Sequence, residues 1–403
     1  MKRILAIAAL ALFAMALSPP RSLARGTYGP GASDTEIKIG LTWPFSGPAS
    51  PTVPLEREMA GYFAMVNAHG GVNGRKIVLI ALDDGYNPAK TVEDTRRLVE
   101  EDHVLLMFGA LGTPTNIAVR PYLNAHKVPQ LFVTTGSTSL IDPRKYPWTM
   151  GFAASYALES KVFAKFILAK HPHAKIGILY QQDDFGTDHL GPFLKTLGAA
   201  AAKLVVAQAS YGAMDATVTS QIISLHSAGA NTLYLITQGR MAPQALATAR
   251  EQMPPSTPIL LPYVASAKSV AGRVGNKKLT GVISTTSSKD PTDPTWAGDP
   301  AVKAYLAWVK KYVPRQDWES DKAETDGYLP AEALVEVLRR CGNDLTRANV
   351  MKVATHLKNV SFPLLLPGIT LSTSPTNYFP MHQMQLMRFN GTRWVLLGHP
   401  ISE

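Results

Sequence analysis

The sequence predicts an α/β protein of two similar lobes, each built on a parallel β-sheet that is flanked by helices. Short apolar strands alternate with helices from Glu36 onward, and the same alternation starts again after Gly151. The strands are apolar on both faces, which is typical of parallel sheets that helices cover on both sides. With 403 residues, the chain is long enough for two lobes that each bury a core.

The first half alternates between strand and helix as far as Met150. Leu55, Met59 and Val66 lie on one stripe of the first predicted helix, which Gly70 ends. The next helix begins with an Asn87-Pro88 pair, a typical cap followed by proline in the first turn. The predicted strands of this half are EIKIGLT (36–42), KIVLIALDD (76–84), VLLMFGA (104–110) and PQLFVTT (129–135).

The second half repeats the pattern, and the last part of the chain adds to both lobes instead of forming a third domain. Its strands are predicted at KIGILYQ (175–181), LVVAQAS (204–210), NTLYLIT (231–237), PILLPY (258–263) and GVISTTS (281–287). The end of the chain, 381–398, reads as a β-hairpin turned at Asn390-Gly391. We therefore predict one lobe from 34–150 and 285–366 and the other from 151–284 and 367–403. No low-complexity linker separates them, which indicates short, ordered hinge connections.

The first 24 residues have the pattern of a secretory signal peptide. Lys2 and Arg3 precede an apolar run from Ile4 to Leu17, and 22–24 read Ser-Leu-Ala, a small-x-small cleavage site. The apolar run is too short for a membrane anchor, and no later segment offers a longer one. The sequence therefore predicts an exported protein, cleaved after residue 24.

The charge distribution and the single cysteine argue against nucleic-acid binding and against a catalytic thiol. The net charge of +10 becomes +7 once the three basic residues of 1–24 are removed, and the remaining basic residues are spread along the chain. Nucleic-acid binding usually needs a concentrated basic stripe, so nucleic acid is not an expected partner. The single cysteine, Cys341, follows an apolar helix and has no histidine nearby in sequence, so we expect a buried thiol without a catalytic role.

Catalytic and metal-binding patterns are missing from the sequence. It contains no nucleophile elbow, Walker loop, dinucleotide fingerprint or H-E-x-x-H helix. His171 and His173 have no third ligand near them in sequence, so a solvated turn is the preferred interpretation. Asp183 and Asp184 could act as an acid and a base, but a helix cap provided by Asp184 is the simpler interpretation. We therefore expect no enzyme activity, catalytic residue, metal or cofactor.

Five loops that follow predicted strands are rich in hydroxyls, glycines and aromatic side chains. In parallel α/β sheets, ligands bind outside the carboxyl ends of the strands, where all five loops fall. Glycines and helix N-termini also leave backbone amides free for an anion or a carbonyl group. The recurrence of this composition predicts a binding cleft formed by TWPFSGPAS (42–50), GALGTPTN (109–116), VTTGSTS (133–139), QQDDFG (181–186) and ITQGRM (236–241).

These stretches make the chain resemble the type I periplasmic binding proteins, in the branched-chain amino acid branch of ABC-transporter substrate-binding proteins. The resemblance runs in family order over nearly all of the chain after residue 36. It is carried by IKIGLTWPFSGPAS (37–50), VNAHGGVNGRKIVLIALDDGYNPAKTVEDTRRLV (66–99), GALGTPTN (109–116), KVPQLFVTTGS (127–137), AKIGILYQQDDFG (174–186) and GVISTTSSKDPTDP (281–294).

The resemblance implies a fold, a location and partners. Two lobes joined by three hinge crossings, near 149–151, 284–286 and 366–369, would close on a small ligand in the periplasm. A permease and an ATPase at the inner membrane would receive the ligand, and the binding protein is expected to be a monomer. A receptor of the same fold that signals through a membrane sensor is an alternative.

The resemblance also implies which residues hold the ligand. Hydroxyls and backbone amides of the first lobe would bind a ligand carboxylate, and Phe185 would cover the ligand from the second lobe. Gln238 falls where amino-acid binders carry an aromatic residue, and Tyr263 falls where they carry the acid that pairs with the ligand ammonium. The predicted ligand-binding residues are Trp43, Phe45, Thr113, Thr134, Gly136, Ser137, Phe185, Gln238 and Tyr263.

Tyr263 decides the expected ligand class. An ammonium group without an acidic partner in a closed cleft costs several kcal/mol of desolvation, about 2–5 by analogy with truncated charge pairs. We therefore expect a small organic carboxylate, for which Trp43, Phe45, Phe185 and Tyr263 would form walls around an aromatic ring. The alternative is an amino acid whose ammonium pairs with Asp183 or Asp184.

Overall fold

The computed structural model describes residues 26–314 and 325–402, which form two α/β lobes on separate sheets. The predicted signal peptide lies outside the described residues. The first sheet has the order β3-β2-β4-β5-β6, and all its strands are parallel. Its strands are β2 (Glu36–Trp43), β3 (Lys76–Asp83), β4 (Leu106–Phe108), β5 (Gln130–Val133) and β6 (Thr149–Gly151), and a separate short β1 (Thr27–Tyr28) pairs with β12 (Asp344–Leu345).

The second sheet has seven strands in the order β14-β13-β11-β10-β9-β7-β8. Its first five strands along the chain are parallel, and the predicted C-terminal hairpin adds two antiparallel strands at one edge. The strands are β7 (Ile176–Gln181), β8 (Val205–Tyr211), β9 (Thr232–Ile236), β10 (Ile259–Leu260), β11 (Val282–Thr286), β13 (Gln383–Phe389) and β14 (Trp394–Ser402).

Helices flank both sheets, and the longer ones lie where the sequence pattern predicts them. In the first half they are α1 (Val53–Ala68), α2 (Pro88–Glu100), α3 (Thr113–Ala125) and α4 (Tyr156–Lys170). In the second half they are α5 (Asp184–Leu197), α6 (Ala201–Leu204), α7 (Thr219–Ser227), α8 (Met241–Gln252), α9 (Tyr263–Ser266) and α10 (Asn276–Leu279). The last three are α11 (Pro300–Tyr312), α12 (Tyr328–Cys341) and α13 (Arg347–Ala354). The helices at 201–204, 263–266, 276–279 and 347–354 were not predicted, and the strand predicted at 258–263 is shorter and gives way to a helix at Tyr263.

The chain passes between the two sheets three times. β6 closes the first sheet, and the chain then enters α4, which packs on α5 beside the second sheet. It returns after β11, because α11 and α12 pack on α1 through a cluster of Tyr62, Trp308 and Tyr328 rings. The third passage leads from α13 to β13. The exact lobe boundaries stay a prediction, although β11 continues in the second sheet as far as Thr286.

A buried carboxyl group connects elements of the second lobe below the cleft. Oε1 of Glu159, on α4, accepts hydrogen bonds from the amide of Tyr263 at 2.8 Å and from the hydroxyl of Thr285 at 2.6 Å. Its Oε2 has no hydrogen-bond partner among the described residues and lies 3.8 Å from Nδ1 of His189. Burial raises the pKa of Glu159 to about 8 and lowers the pKa of His189 to about 3, so both side chains are neutral at pH 7.

The cap of α5 differs from the sequence prediction. Asp183, not Asp184, is the cap residue, and its carboxylate accepts from the amides of Phe185 at 2.9 Å and Gly186 at 3.3 Å. Asp184 is the first helical residue and is exposed. The helix therefore begins at Asp184, one residue earlier than predicted. The extended backbone at Asp183 lets its carboxylate reach the amides of the first helical turn.

We expect Asp183→Ala to lower the free energy of unfolding by about 1 kcal/mol, since two amides of the first turn lose their acceptor. Urea unfolding followed by circular dichroism measures this change. Asp184→Ala is the matched control and should cost less, because that carboxylate contributes only its charge near the helix N-terminus. Equal losses in both variants, or a larger loss for Asp184→Ala, would contradict this capping assignment.

We expect Glu159 to contribute less to the free energy of unfolding as the pH rises from 5 to 8, and Glu159→Gln to remove this part of the pH dependence. The neutral His189 acts in the opposite direction below a pH of about 6.5, so the comparison is between the two proteins at each pH. A carboxyl whose pKa is raised in the folded state binds its proton more tightly there, so its contribution is lost as the pH approaches 8. One such group gives at most about 1.4 kcal/mol per pH unit. Urea unfolding of both proteins at several pH values tests this, and parallel curves would show that Glu159 is ionised throughout.

Candidate functional site

A cavity of about 190 Å³ lies between the lobes, where the carboxyl ends of both sheets meet. Loops from both lobes line it, as expected for a ligand site of parallel sheets. Its wall includes residues from four of the five predicted loops, and the 42–50 loop contributes none of them. That loop instead contacts the opposite lobe, where the amide of Arg240 donates to the Pro48 carbonyl at 3.0 Å.

Two further contacts hold the cleft closed around this cavity. Asp188 on α5 accepts hydrogen bonds from the amide and the hydroxyl of Thr138, across the cleft. The side-chain amide of Gln181 donates to the Tyr86 hydroxyl at 3.5 Å, again between lobes. The described structure is therefore an arrangement in which the lobes contact each other and both contribute to one partly open cavity.

The N-terminus of α3 forms the first-lobe wall of the cavity. The helix begins at Thr113, and its cap residue, Gly112, offers no side-chain acceptor to the first amides. Gly112 has a φ of 106°, and a Cβ there would lie 2.5 Å from the Tyr86 ring, so only glycine fits. Pro114 has no amide hydrogen, and the amides of Gly112 and Asn116 already donate to the carbonyls of Thr134 and Gly112. The amides of Thr113 and Thr115 and the helix dipole therefore favour a negatively charged ligand group.

The threonine hydroxyls of this wall already have internal partners. The Thr134 hydroxyl donates to the Gly109 carbonyl at 2.7 Å, so its proton is used and its lone pairs remain for the ligand. The Thr113 hydroxyl lies 2.8 Å from the Thr135 hydroxyl, which lies 3.3 Å from the Tyr156 hydroxyl. In this arrangement the α3 amides are the better donors to a carboxylate, and Thr134 is better placed to accept from a ligand donor.

Aromatic rings of the second lobe cover the other side of the cavity. Phe185 lies at the start of α5, and its ring meets the Tyr156 ring edge-on at 5.5 Å between centroids. Gln238 also lines the cavity, and its side-chain amide donates to Gln181 at 3.4 Å. Phe185 is almost completely buried, and its role in covering a ligand stays a prediction.

Tyr263 lines the cavity from the first residue of α9, and its position depends on the buried Glu159. Its ring lies 5.9 Å from the Tyr156 ring, between centroids. Burial raises the pKa of Tyr263 well above its usual value, so the phenol is neutral. Glu159 is not among the residues that line the cavity, because Tyr156, Tyr263 and Thr285 lie between it and the open space.

Not all predicted binding residues reach the cavity. Thr113, Thr134, Phe185, Gln238 and Tyr263 line it. Trp43 and Phe45 instead pack in or against the core of the first lobe, and the Ser137 hydroxyl bonds to that of Ser139 at 2.8 Å. Gly136 supports the site from behind, since a Cβ there would lie 2.9 Å from the Tyr263 hydroxyl.

Asp326, an acidic residue that the sequence did not predict as part of the site, lines the cavity. Neither Asp183 nor Asp184 lines it, so the acid suggested from those positions is not where an ammonium would bind. Asp326 lies two residues before α12, next to the cap residue Gly327. Surrounding protein raises the pKa of its carboxyl to about 6, although the side chain is exposed. In the sequence, Asp326 stands just before a predicted helix in TDGYLPAEAL (325–334). An acid at that place is equally well explained by its favourable interaction with the helix N-terminus, so it did not indicate a binding residue.

The described residues contain neither a metal-binding cluster nor a membrane-spanning helix. Within 26–314 and 325–402, no group of three or more His, Cys, Asp or Glu side chains is arranged to hold a metal ion. Among the helices of these same two ranges, none is both long and apolar enough to cross a membrane.

Comparisons with known proteins agree on the family. The model of the family described as periplasmic binding protein matches residues 36–393. A Leu/Ile/Val-binding protein homolog 7 from Brucella abortus (strain 2308) is 27% identical over 224 residues, which are 53% of this chain and 55% of that protein. The chain therefore spans about half the length of the curated relatives it matches.

Solved structures show the same fold at low identity. A branched-chain amino acid ABC transporter protein from Thermus thermophilus with bound valine has a TM-score of 0.79 at 17% identity, covering 92% of this chain and 98% of its own. A fatty acid ABC transporter substrate-binding protein from Thermomonospora curvata has a TM-score of 0.76 at 22% identity, covering 94% and 95%. The chain belongs to the periplasmic binding protein family and has its type I fold of two α/β lobes.

Proposed function

We propose that this protein is an exported receptor of an ABC importer, which captures a small organic carboxylate between its lobes and delivers it to an inner-membrane permease. The observation that carries this proposal is the cavity that residues of both lobes line at the carboxyl ends of the two sheets. Capture needs contacts from both lobes, because a ligand shifts the open and closed populations only by its differential affinity for them. Thr113 and Phe185 provide such contacts from opposite sides.

The carboxylate is assigned to the N-terminus of α3. The amides there have no side-chain cap, and the helix dipole favours an anion. Tyr263 occupies the place where amino-acid binders carry an acid, and the buried Glu159 is turned away from the cavity by its bonds to Tyr263 and Thr285. The second-lobe wall therefore offers aromatic surface to the body of the ligand.

An amino acid is the second candidate, and a specific observation favours it. Asp326 lines the cavity, and the Thr134 hydroxyl has lone pairs but no free proton. Together they could receive an ammonium group while the α3 amides hold the carboxylate. The names of the relatives from Brucella and Thermus refer to branched-chain amino acids, which is consistent with this alternative.

We expect a carboxylic acid to bind at least tenfold more tightly than the amino acid of the same shape. Calorimetric titrations of 4-methylpentanoate against leucine, and of phenylpropanoate against phenylalanine, measure this at pH 7.5. Lowering the pH to 5.5 should strengthen binding of the acid, because protonated Asp326 no longer repels the ligand carboxylate.

At pH 7.5, Asp326→Asn should bind the carboxylic acid as tightly as the unmodified protein does at pH 5.5. The matched control is Asp344→Asn, on the short β12 strand, which should leave the affinity unchanged. Tighter binding of leucine than of 4-methylpentanoate, together with a loss of leucine affinity in Asp326→Asn, would establish the amino-acid alternative instead. Binding of neither class would contradict the assignment of the carboxylate to α3.

We expect ligand affinity to depend on both lobes. Phe185→Ala should weaken binding at least tenfold through lost apolar contact, and Thr113→Val should weaken it severalfold by disturbing the α3 N-terminus. Ile223→Ala, at an exposed position on α7, is the control and should leave affinity unchanged. Small-angle scattering should show a smaller radius of gyration with ligand, and an effect confined to one lobe with no compaction would rule out capture by closure.

A further inference from the structure

Two tyrosines of the second lobe line the cavity close to the N-terminus of α3. Tyr156 begins α4 and Tyr263 begins α9, and their ring centroids lie 5.9 Å apart. The Tyr156 ring stacks on His189 at 4.1 Å between centroids. The Tyr263 amide donates to Glu159 at 2.8 Å. Packing within the second lobe therefore fixes both rings, and we call their two hydroxyls the phenol pair.

A chain of hydroxyl groups connects the phenol pair to α3. The Thr135 hydroxyl donates to the Tyr156 hydroxyl at 3.3 Å. Because this bond uses the Thr135 proton, the Thr113 hydroxyl is the donor in its 2.8 Å bond to Thr135. The chain therefore runs in one direction, from the first residue of α3 to Tyr156. At its end, the proton of the Tyr156 hydroxyl has no acceptor among the described residues.

The Tyr263 hydroxyl lies between the lobes and also lacks a partner. A Cβ on Gly136, in the first lobe, would lie 2.9 Å from it. The hydroxyl is shielded from solvent and makes no hydrogen bond to a described residue, Tyr156 included. Burial keeps both phenols protonated, since it raises both pKa values, that of Tyr156 to about 12. A buried donor without an acceptor is unfavourable, so a ligand that enters between the lobes and supplies an acceptor is favoured here.

Unpaired donors favour a carbonyl oxygen over an ammonium group at this place. An ammonium group has three donors and no lone pair, so it would leave both protons of the phenol pair without an acceptor. A carbonyl oxygen has two lone pairs and can accept from both hydroxyls. A second carboxylate could accept the same bonds, but it would place another negative charge in a cavity that Asp326 also lines. A neutral carbonyl group is therefore the better match.

The hydroxyl chain also indicates where on the ligand this carbonyl lies. Because its two bonds measure 2.8 and 3.3 Å, the Thr113 and Tyr156 hydroxyls are at most about 6 Å apart. A ligand carboxylate on the amides of Thr113 and Thr115 would thus lie close to the phenol pair. This short separation matches an oxygen on the carbon next to the carboxylate, and not one at the far end of a longer molecule.

We propose that the phenol pair is a subsite for a carbonyl oxygen, so that the ligand class is 2-oxo carboxylates. Tyr156 and Tyr263 are then the residues that distinguish an oxo acid from the acid of the same shape without that oxygen. The inference rests on the proposed function, because it takes the ligand carboxylate to lie at the N-terminus of α3.

Calorimetric titrations of 4-methyl-2-oxopentanoate, 4-methylpentanoate and leucine at pH 7.5 test this subsite. We expect the oxo acid to bind at least tenfold more tightly than 4-methylpentanoate. Tyr263→Phe and Tyr156→Phe each remove one donor, so each should reduce this ratio of affinities about threefold to tenfold. Tyr263→Phe should not lower the urea midpoint of unfolding, because it deletes a hydroxyl that has no partner. A lowered midpoint would show that the hydroxyl is bonded within the protein and would contradict the subsite.

Tyr234→Phe is the matched control, because the Tyr234 hydroxyl is buried, lies 3.1 Å from Nδ1 of His189 and does not line the cavity. It should leave the ratio unchanged. Equal affinities for the two acids, or a ratio that survives both Tyr263→Phe and Tyr156→Phe, overturns the carbonyl subsite and leaves the proposed carboxylate receptor intact. Tighter binding of leucine than of the oxo acid overturns the subsite in favour of the amino-acid alternative. If none of the three molecules binds, the proposed function fails, and the subsite with it.

Discussion

The buried carboxyl of Glu159 fixes the geometry of the second-lobe side of the cleft. It joins α4 to Thr285 at the exit of β11 and to the amide of Tyr263, so that one side chain sets three elements that meet beneath the cavity. Burial keeps this carboxyl protonated at neutral pH, which avoids the cost of an unpaired buried charge. The neutral His189 beside it stacks on Tyr156 at 4.1 Å between ring centroids and extends the same support to the aromatic wall.

This arrangement separates the structural acid from the acid that a ligand could meet. Glu159 is close to the site but hidden behind Tyr263 and Tyr156, and its hydrogen bonds fix its direction. Asp326 comes from the other lobe and faces the open cavity. Asp326 differs from the other charged residues that line the cavity, because Lys268 and Lys289 have carboxylate partners. The cavity therefore still has an exposed acid, Asp326, although position 263 is a tyrosine.

Sheet topology explains where the cavity lies. Parallel sheets bring their strand ends to a common edge, so loops from both sheets meet at one place. The C-terminal hairpin adds two antiparallel strands at one edge of the second sheet, and Met384 of this hairpin also lines the cavity.

The sequence by itself determined the alternation of strands and helices, the hairpin at Asn390-Gly391 and the loops that end at the cleft, because these depend on local periodicity and turn chemistry. It also placed Thr113, Phe185 and Tyr263 at the cavity, since strand ends are readable from the pattern. Only the tertiary structure decided that Trp43 belongs to the core, that Asp183 caps α5 and that Asp326 and Met384 reach the ligand space. Those positions depend on contacts between segments distant in sequence, and the direction of a side chain in such contacts is set by packing, which no local pattern records.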